Sequence, residues 1–364
     1  MENNASEKPN LFSATRILII LASFVVVVFG MREASSIITP IIIAFIVAVL
    51  FSPLHGWLIE RRVPRWLSLV IVMLIILLVI SAMVTITVVS ITQFVNRIPE
   101  YSDSLQGLVD GILAFAETLP VDTTNLLNFE IFDVSQIINV SGSLLTGMLD
   151  ALSNWFVEFL LIALMVADFA YLPEKFERMF PNDERMHSFS ELILSIRRYL
   201  SITTSTGLII GVGNALLLIF MGVDFAVLWG ILGFLMNFIP SVGIIISVIP
   251  PVILALLEFG WQAALISGLG VILINFTIEN IVKPRVMEED LNISPLFILI
   301  SLVLWAFVLG PVGTILAVPL TLIATKLLLE VSDETRWLAV LITANPRPKR
   351  VPAAAKKTKP EEEN

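Results

Sequence analysis

The sequence predicts an all-α integral membrane protein of about eight spans or their hairpin equivalents, and three observations carry that prediction. Hydrophobic residues make up 57% of the 364 residues and charged residues only 15%, whereas a soluble domain needs about a quarter charged to cover its surface. The charges cluster between long apolar runs instead of being interleaved within them. Two of those runs are too long for one straight crossing, and each is interrupted at its centre by Pro and Gly.

The charge-free runs are 17–31, 34–54, 66–96, 199–223, 225–257, 259–278 and 291–325. A crossing takes about 20 apolar residues to cover about 30 Å of hydrocarbon. Segment 155–171 is a further span, with Glu158 and Asp168 near its ends. Run 17–31 is short, but Phe12 and a snorkelling Arg16 extend it. No small-residue cleavage pattern follows it, so it reads as a span and not as a signal peptide.

The chain divides into a cytoplasmic N-terminus (1–15), N-terminal spans (16–91), an external segment (92–150), a transport core (151–330) and a partly disordered tail (331–364). Lys and Arg set the orientation. The Arg61-Arg62-Val63-Pro64-Arg65 loop, the 173–198 loop, Lys283 with Arg285, and the basic tail are expected inside. Segment 92–150 carries eight acidic residues against Arg97 alone, which places it outside. Both termini are then cytoplasmic and the protein is multi-pass in the inner membrane. The alternation closes when each overlong run counts as an out-and-back pair. Between Ser102 and Pro120, Leu105, Leu108, Val109, Ile112, Leu113, Ala116 and Leu119 fall on one helical face, as expected of an amphipathic helix on the membrane or on a neighbouring subunit.

Composition also excludes functions. Without cysteine there is no disulfide framework, cysteine-ligated metal or cysteine nucleophile. The net charge of −9 averages two oppositely charged sides, and no basic stripe with aromatics marks nucleic-acid binding. His55 and His187 read as lying in separate polar loops, and neither a nucleophile–base pair nor a metal cluster appears. No enzyme activity, metal or cofactor is expected.

Runs 225–257 and 291–325 would each extend about 50 Å as straight helices. Their breaks are Asn237-Phe238-Ile239-Pro240-Ser241-Val242-Gly243 and Leu309-Gly310-Pro311-Val312-Gly313. Pro removes a backbone donor and clashes with the preceding turn, so each run should fold into two legs. Legs of this length fit both full spans and re-entrant hairpins. A shift of seventy residues lays Val242-Gly243, Ile245 and Val248 on Val312-Gly313, Ile315 and Val318. A single span, 259–282, separates hairpins 224–257 and 291–329, which gives them opposite entry faces, as in an inverted repeat. In secondary transporters such paired interruptions mark a substrate pathway; the plainer alternative is a pair of kinked helices in a bundle.

Ionisable and amide groups inside the membrane complete the candidate pathway: Asn237, Pro240, Gly243, Asn275, Glu279, Asn280, Lys283, Gly310 and Gly313. Glu279 and Lys283 are spaced i,i+4 and fit an ion pair at the interface. Glu279 and Asn280 fit equally a cavity between the hairpins, where Glu279 would be a proton-coupling group. Asn275 lies one turn above Glu279. Asn214 needs a partner, Thr203, Thr204 and Thr206 should bond their own helix backbone, and Asp168 reads as an interfacial cap.

The ordered motifs over roughly 197–330 resemble the autoinducer-2 exporter family. They are Arg198-Tyr199-Leu200, Gly222-Val223-Asp224-Phe225-Ala226, Leu228-Trp229-Gly230, the Asn237–Gly243 string, Ile249-Pro250-Pro251, Glu279-Asn280, Lys283-Pro284-Arg285-Val286-Met287, Leu291-Asn292-Ile293-Ser294-Pro295, Leu309–Gly313 and Val318-Pro319-Leu320. The resemblance implies a secondary carrier in the lipid bilayer, working without an ATPase module and exporting the quorum-sensing signal autoinducer-2. It also implies a homo-oligomer, with a pentamer among the options, and an elevator-like division into scaffold and moving part. Relatives described as sodium/proton antiporters keep protons or sodium open as coupling ions or cargo, and a non-transporting membrane scaffold is the third reading. Glu288-Glu289-Asp290 departs from the Gly usual in relatives after Met287, which bears on gating and cation attraction.

Overall fold

The computed structural model describes residues 11–101, 155–169, 184–240, 242–286 and 294–325, with the isolated residues 107, 111, 142, 143, 146 and 147. Regular structure among them is entirely helical: α1 (Leu11–Glu33), α2 (Ser35–Glu60), α3 (Arg65–Arg97), α4 (Trp155–Phe169), α5 (Glu184–Met221), α6 (Ala226–Met236), α7 (Val242–Phe259), α8 (Trp261–Thr277), α9 (Lys283–Val286), α10 (Pro295–Ile315) and α11 (Ala317–Ala324). Helices satisfy their backbone groups internally, as an apolar solvent demands. Among the described residues, six stretches are long and apolar enough to cross a membrane: Ser35–Glu60, Arg65–Arg97, Leu192–Met221, Val242–Phe259, Trp261–Val286 and Leu296–Ile315. Only 17–33% of each one's most apolar window is buried, so most apolar side chains face outward. That distribution is the reverse of a soluble core and marks a multi-pass membrane protein.

α5 organises the interior. It is 38 residues long, about 57 Å at the α-helical rise, and it begins at Glu184. The segment read from its charges as an internal loop over 173–198 is therefore helical from Glu184 onward; Leu192, Ile196 and Leu200, at i,i+4 spacing, are buried and hold it. This half of α5 packs with Ile46 and Val49 of α2 and with Val308, Leu309, Leu316 and Leu320 of the second broken run. The other half carries the first broken run: Leu218 and Val223 pack with Ala226, Trp229, Leu254 and Ala255. α2, α3 and α4 close a third cluster around Val72, Ile76, Ile162 and Val166.

Two turns show how the chain reverses. After α5, Gly222 is left-handed, its N–H bonds Ile219 O at 3.0 Å and the Val223 N–H bonds Leu218 O at 3.0 Å. This is the paired closure of a helix C-terminus, sealed by the buried Val223–Leu218 contact. After α2 the same pattern recurs with Arg62 in the left-handed position, and Pro64 then precedes α3.

His55, read as a loop residue, lies inside α2 and is 3% exposed; Ser68 Oγ of α3 is 2.8 Å from its Nδ1 and also donates to its main-chain oxygen at 3.1 Å. Pro53 and Gly56 beside it do not end the helix. His187 likewise falls in α5. The amphipathic face over 102–120 lies outside the described residues apart from Gly107 and Gly111, as do Glu288-Glu289-Asp290 and the tail.

Candidate solute site at a broken hairpin

Run 225–257 folds back on itself. α6 is 11 residues, about 16 Å, and is too short to cross; α7 is 18 residues. Their outer ends meet: the Asp224 N–H donates to Glu258 Oε2 at 3.2 Å. The run is therefore a hairpin whose two outer ends come back together. At its tip the N–H groups of Phe238, Ile239, Val242 and Gly243 bond Leu235 O, Met236 O, Pro240 O and Ile239 O. The legs approach so closely that a Cβ on Gly243 would stand 1.9 Å from Met236 O. α6 also sits tightly on α5: a Cβ on Gly211 would lie 2.8 Å from Gly230 O, and one on Gly230 would lie 2.6 Å from Gly211 O. Gly207 and Gly211 form the small-xxx-small spacing that permits such approach in membranes; that spacing was the sequence signal for this contact.

Run 291–325 folds in the same way. Gly310 leaves helical geometry at φ 65°, ψ −145°. Trp305 Nε1 donates to Thr321 Oγ1 at 3.1 Å across sixteen residues, a pairing that only a reversal allows. A Cβ on Gly313 would stand 2.0 Å from Trp305 O. The two predicted breaks thus share one device, a glycine at the tip against a main-chain oxygen of the opposite leg.

A cavity of about 250 Å³ lies between the first tip and the end of α8, lined among others by Asn237, Pro240, Gly243, Asn275, Glu279 and Asn280. Six predicted pathway residues are thereby brought together. Lys283 is beside the cavity but not on it: its Nζ donates to Glu279 Oε1 and Oε2 at 2.8 and 3.1 Å. Glu279 thus makes the i,i+4 ion pair and also lines a cavity, but that cavity lies against the first hairpin alone and not between the two hairpins. Gly310 and Gly313 are not on this cavity; their hairpin is packed on the other half of α5.

The asparagines are held individually. Asn237 Nδ2 donates to Thr203 O at 2.7 Å and lies 3.2 Å from Thr206 Oγ1. Asn275 Nδ2 donates to Val271 O at 2.8 Å and Asn280 Nδ2 to Phe276 O at 3.1 Å. Thr206 bonds its own helix through Ile202 O, as expected, whereas Thr203 Oγ1 finds no main-chain partner. Asn214 is 1% exposed and neither amide atom has a partner; its Nδ2 would be 2.7 Å from a Cβ on Gly233.

Sequence reasoning missed two features. Residues Ile278–Val282 form a widened π turn, of the kind that often marks a functional site. Pro284 was the signal, because it lacks the N–H that would bond Asn280 O in α register and its ring crowds that oxygen. The second feature is a polar cluster at the mouth of the first hairpin. Arg97 at the end of α3 pairs with Asp224 Oδ2. The Tyr101 hydroxyl lies 2.9 Å from both Asp224 Oδ2 and Glu258 Oε1, and Trp229 Nε1 donates to Asp224 O at 3.1 Å. Burial, together with the neighbouring carboxylates, pushes the Tyr101 hydroxyl above its ordinary range.

Comparison with known proteins places the chain in a transporter family. Residues 17–333 match the family described as AI-2E family transporter. The chain is 31% identical over 329 residues to the AI-2 transport protein TqsA of Escherichia coli K12, covering 90% of this chain and 95% of that one. It is 32% identical over 350 residues to a Haemophilus influenzae protein named only provisionally as a transport protein, covering 94% and 98%. The similarly provisional YhhT of Escherichia coli K12 is 29% identical over 338 residues, covering 92% and 96%.

Proposed function

The chain belongs to the AI-2E transporter family, and on that premise we propose that it is a secondary carrier exporting a small polar solute, autoinducer-2, by alternating access. The observation that carries this reading is the cavity at the first hairpin tip, where amide side chains meet an interrupted backbone. A re-entrant tip brings polar groups to a depth where a continuous helix offers none. The nine residues of the pathway are those named from the sequence: Asn237, Pro240, Gly243, Asn275, Glu279 and Asn280 on the cavity, Lys283 as the partner that neutralises Glu279, and Gly310 and Gly313 as the matching hinge. The two broken hairpins and the 259–282 span form the moving part of an elevator-like cycle. The distribution of Lys and Arg supports an inner-membrane orientation with both termini cytoplasmic. A homo-oligomer, a pentamer by family analogy, fits the large outward apolar surface.

The sodium/proton antiporter reading rests on Glu279, the ionisable side chain on the cavity wall. Its pairing with Lys283 gives the side chain a structural role that needs no coupling ion. Proteoliposomes assayed side by side with labelled autoinducer-2 and labelled sodium decide between the two. The exporter reading requires saturable flux of the signal, whichever ion drives it. Sodium moving against an imposed proton gradient, with the signal ignored, would overturn it.

A further inference from the structure

The turn between α2 and α3 carries more charge than its own fold uses. Its sequence, Trp57-Leu58-Ile59-Glu60-Arg61-Arg62-Val63-Pro64-Arg65-Trp66, sets three guanidiniums against Glu60 alone. Elsewhere Arg97 pairs with Asp224 and Lys283 with Glu279. The exposed guanidiniums of Arg61 and Arg62 pair with no carboxylate among the described residues, Glu60 included. Arg61 lies instead over the Trp57 ring, 4.9 Å from its centroid, a contact that steadies the cation without neutralising it.

The backbone beneath these side chains is fixed. The N–H groups of Arg61, Arg62 and Val63 bond Trp57 O, Ile59 O and Leu58 O at 3.1, 2.9 and 3.1 Å. One turn further on, the Ser68–His55 contacts tie α3 to α2. Arg62 stands at φ +64°, the left-handed position that Gly usually fills in such a closure and that Gly222 fills after α5. A side chain there costs conformational strain, so the turn alone would be better served by Gly. Strain kept at a residue whose side chain makes no hydrogen bond or ion pair points to a use outside the fold.

The surroundings identify that use. Trp57 and Trp66 are exposed on either side of the turn, as Trp is at a membrane–water interface. From Trp66 an exposed apolar stripe runs along α3 through Val70, Leu74 and Leu78 at i,i+4 spacing. The stripe is about 18 Å long, close to the depth of one leaflet's hydrocarbon, about 15 Å. Unpaired guanidiniums at the head of an apolar lane complement a molecule with a phosphate at one end and an acyl chain at the other.

We propose that the α2–α3 turn is a binding site for an anionic phospholipid, with Arg61 and Arg62 holding its phosphate and the Trp66–Leu78 stripe taking an acyl chain. The site stands apart from the solute cavity and does not depend on it.

The chain has no cysteine, so Val70→Cys places a single thiol on the stripe for a bimane label, and Phe220→Cys, at an exposed residue of α5, serves as the control. The labelled full chain is reconstituted in phosphatidylcholine, and quenching is titrated with phosphatidylglycerol or phosphatidylcholine carrying brominated acyl chains. At 70, phosphatidylglycerol is expected to be preferred roughly 25-fold, from about fivefold for each guanidinium; at 220 no such preference is expected. High salt should weaken the preference. Arg62→Gly should lower it about fivefold while the thermal midpoint in detergent holds or rises, because Gly suits the left-handed turn. A purely structural Arg62 would instead lose stability and leave the preference unchanged. Arg61→Gln, which lies outside the left-handed position, repeats the test if Arg62→Gly fails to assemble, and the double change should remove most of the preference. Equal quenching by the two lipids at 70, the same preference at 220, or a preference that survives the double change overturns the site. So does a label at 70 that neither lipid quenches, because a neighbouring subunit would then cover the stripe.

Discussion

Gly243→Ala and Gly313→Ala test the hairpin tips with the smallest possible change. The added methyl carbon would stand 1.9 Å from Met236 O in the first and 2.0 Å from Trp305 O in the second. An ordinary carbon–oxygen contact is about 3.3 Å or more. Each pair of legs must therefore open by roughly 1.3–1.4 Å, and what must move is main chain, not a flexible side-chain end. Overpacking of this kind costs about 1–3 kcal/mol. At the first tip the opening also displaces Asn237 and Pro240 from the cavity wall. Gly310→Ala is the contrast. Nothing lies within 4 Å of a Cβ there, but φ is +65° with ψ −145°, so its cost is conformational strain of about 1–3 kcal/mol without separation of the legs. Thermal unfolding in detergent and flux in proteoliposomes are the paired readouts. Gly243→Ala should lose flux more steeply than stability, and Gly243→Val should abolish flux while the protein still inserts. Normal flux in both Gly243→Val and Gly313→Val would refute the reasoning, because no close approach at the tips would then matter.

Glu279→Gln and Lys283→Gln should each impair flux, and the double change should recover much of the loss, since a lone charge no longer remains beside the cavity; an additive double mutant contradicts the pairing. Asp224→Asn breaks the ion pair with Arg97 and should loosen the mouth of the first hairpin, read as faster amide exchange at 222–226 and 256–259; unchanged exchange would show that the cluster ties nothing. Because Tyr101 titrates above its ordinary range when folded, its contribution to stability is complete below the free value of about 10 and declines as pH rises beyond it. Tyr101→Phe should flatten that alkaline decline in an unfolding series, and an identical slope in both proteins would dismiss the effect.

The parts of this fold that were legible in the sequence are those written in local chemistry. Overlong apolar runs with Pro240, Gly243, Pro311 and Gly313 at their centres foretold the two reversals, because breakers act on the adjacent turn. Asn237, Asn275, Glu279 and Asn280 were legible as a group because amides and acids in apolar helices demand partners. Features built from distant pairs were not. Arg97 meets Asp224 across 127 residues, and no pattern within either segment points to the other. Charge was also misleading at α5: the acidic and basic residues of 184–198 read as part of a loop, yet the helix runs from Glu184 onward and buried Leu192 and Ile196 hold it. His55 sits between Pro53 and Gly56, residues that end helices in water but not where a backbone group freed from its helix has no solvent to bond. Gly310 and Gly313 were grouped with the cavity on symmetry alone, and packing on the opposite half of α5 separates them.

A plug in the cavity bears on the whole account. Ile244→Cys carries a thiol on the cavity wall, and Phe220→Cys carries one on the outer surface, where Phe220 is 88% exposed. With autoinducer-2 flux measured in proteoliposomes before and after a bulky thiol reagent, the account predicts that modification at 244 stops flux and modification at 220 leaves it intact. Undiminished flux after complete modification at 244 would contradict it.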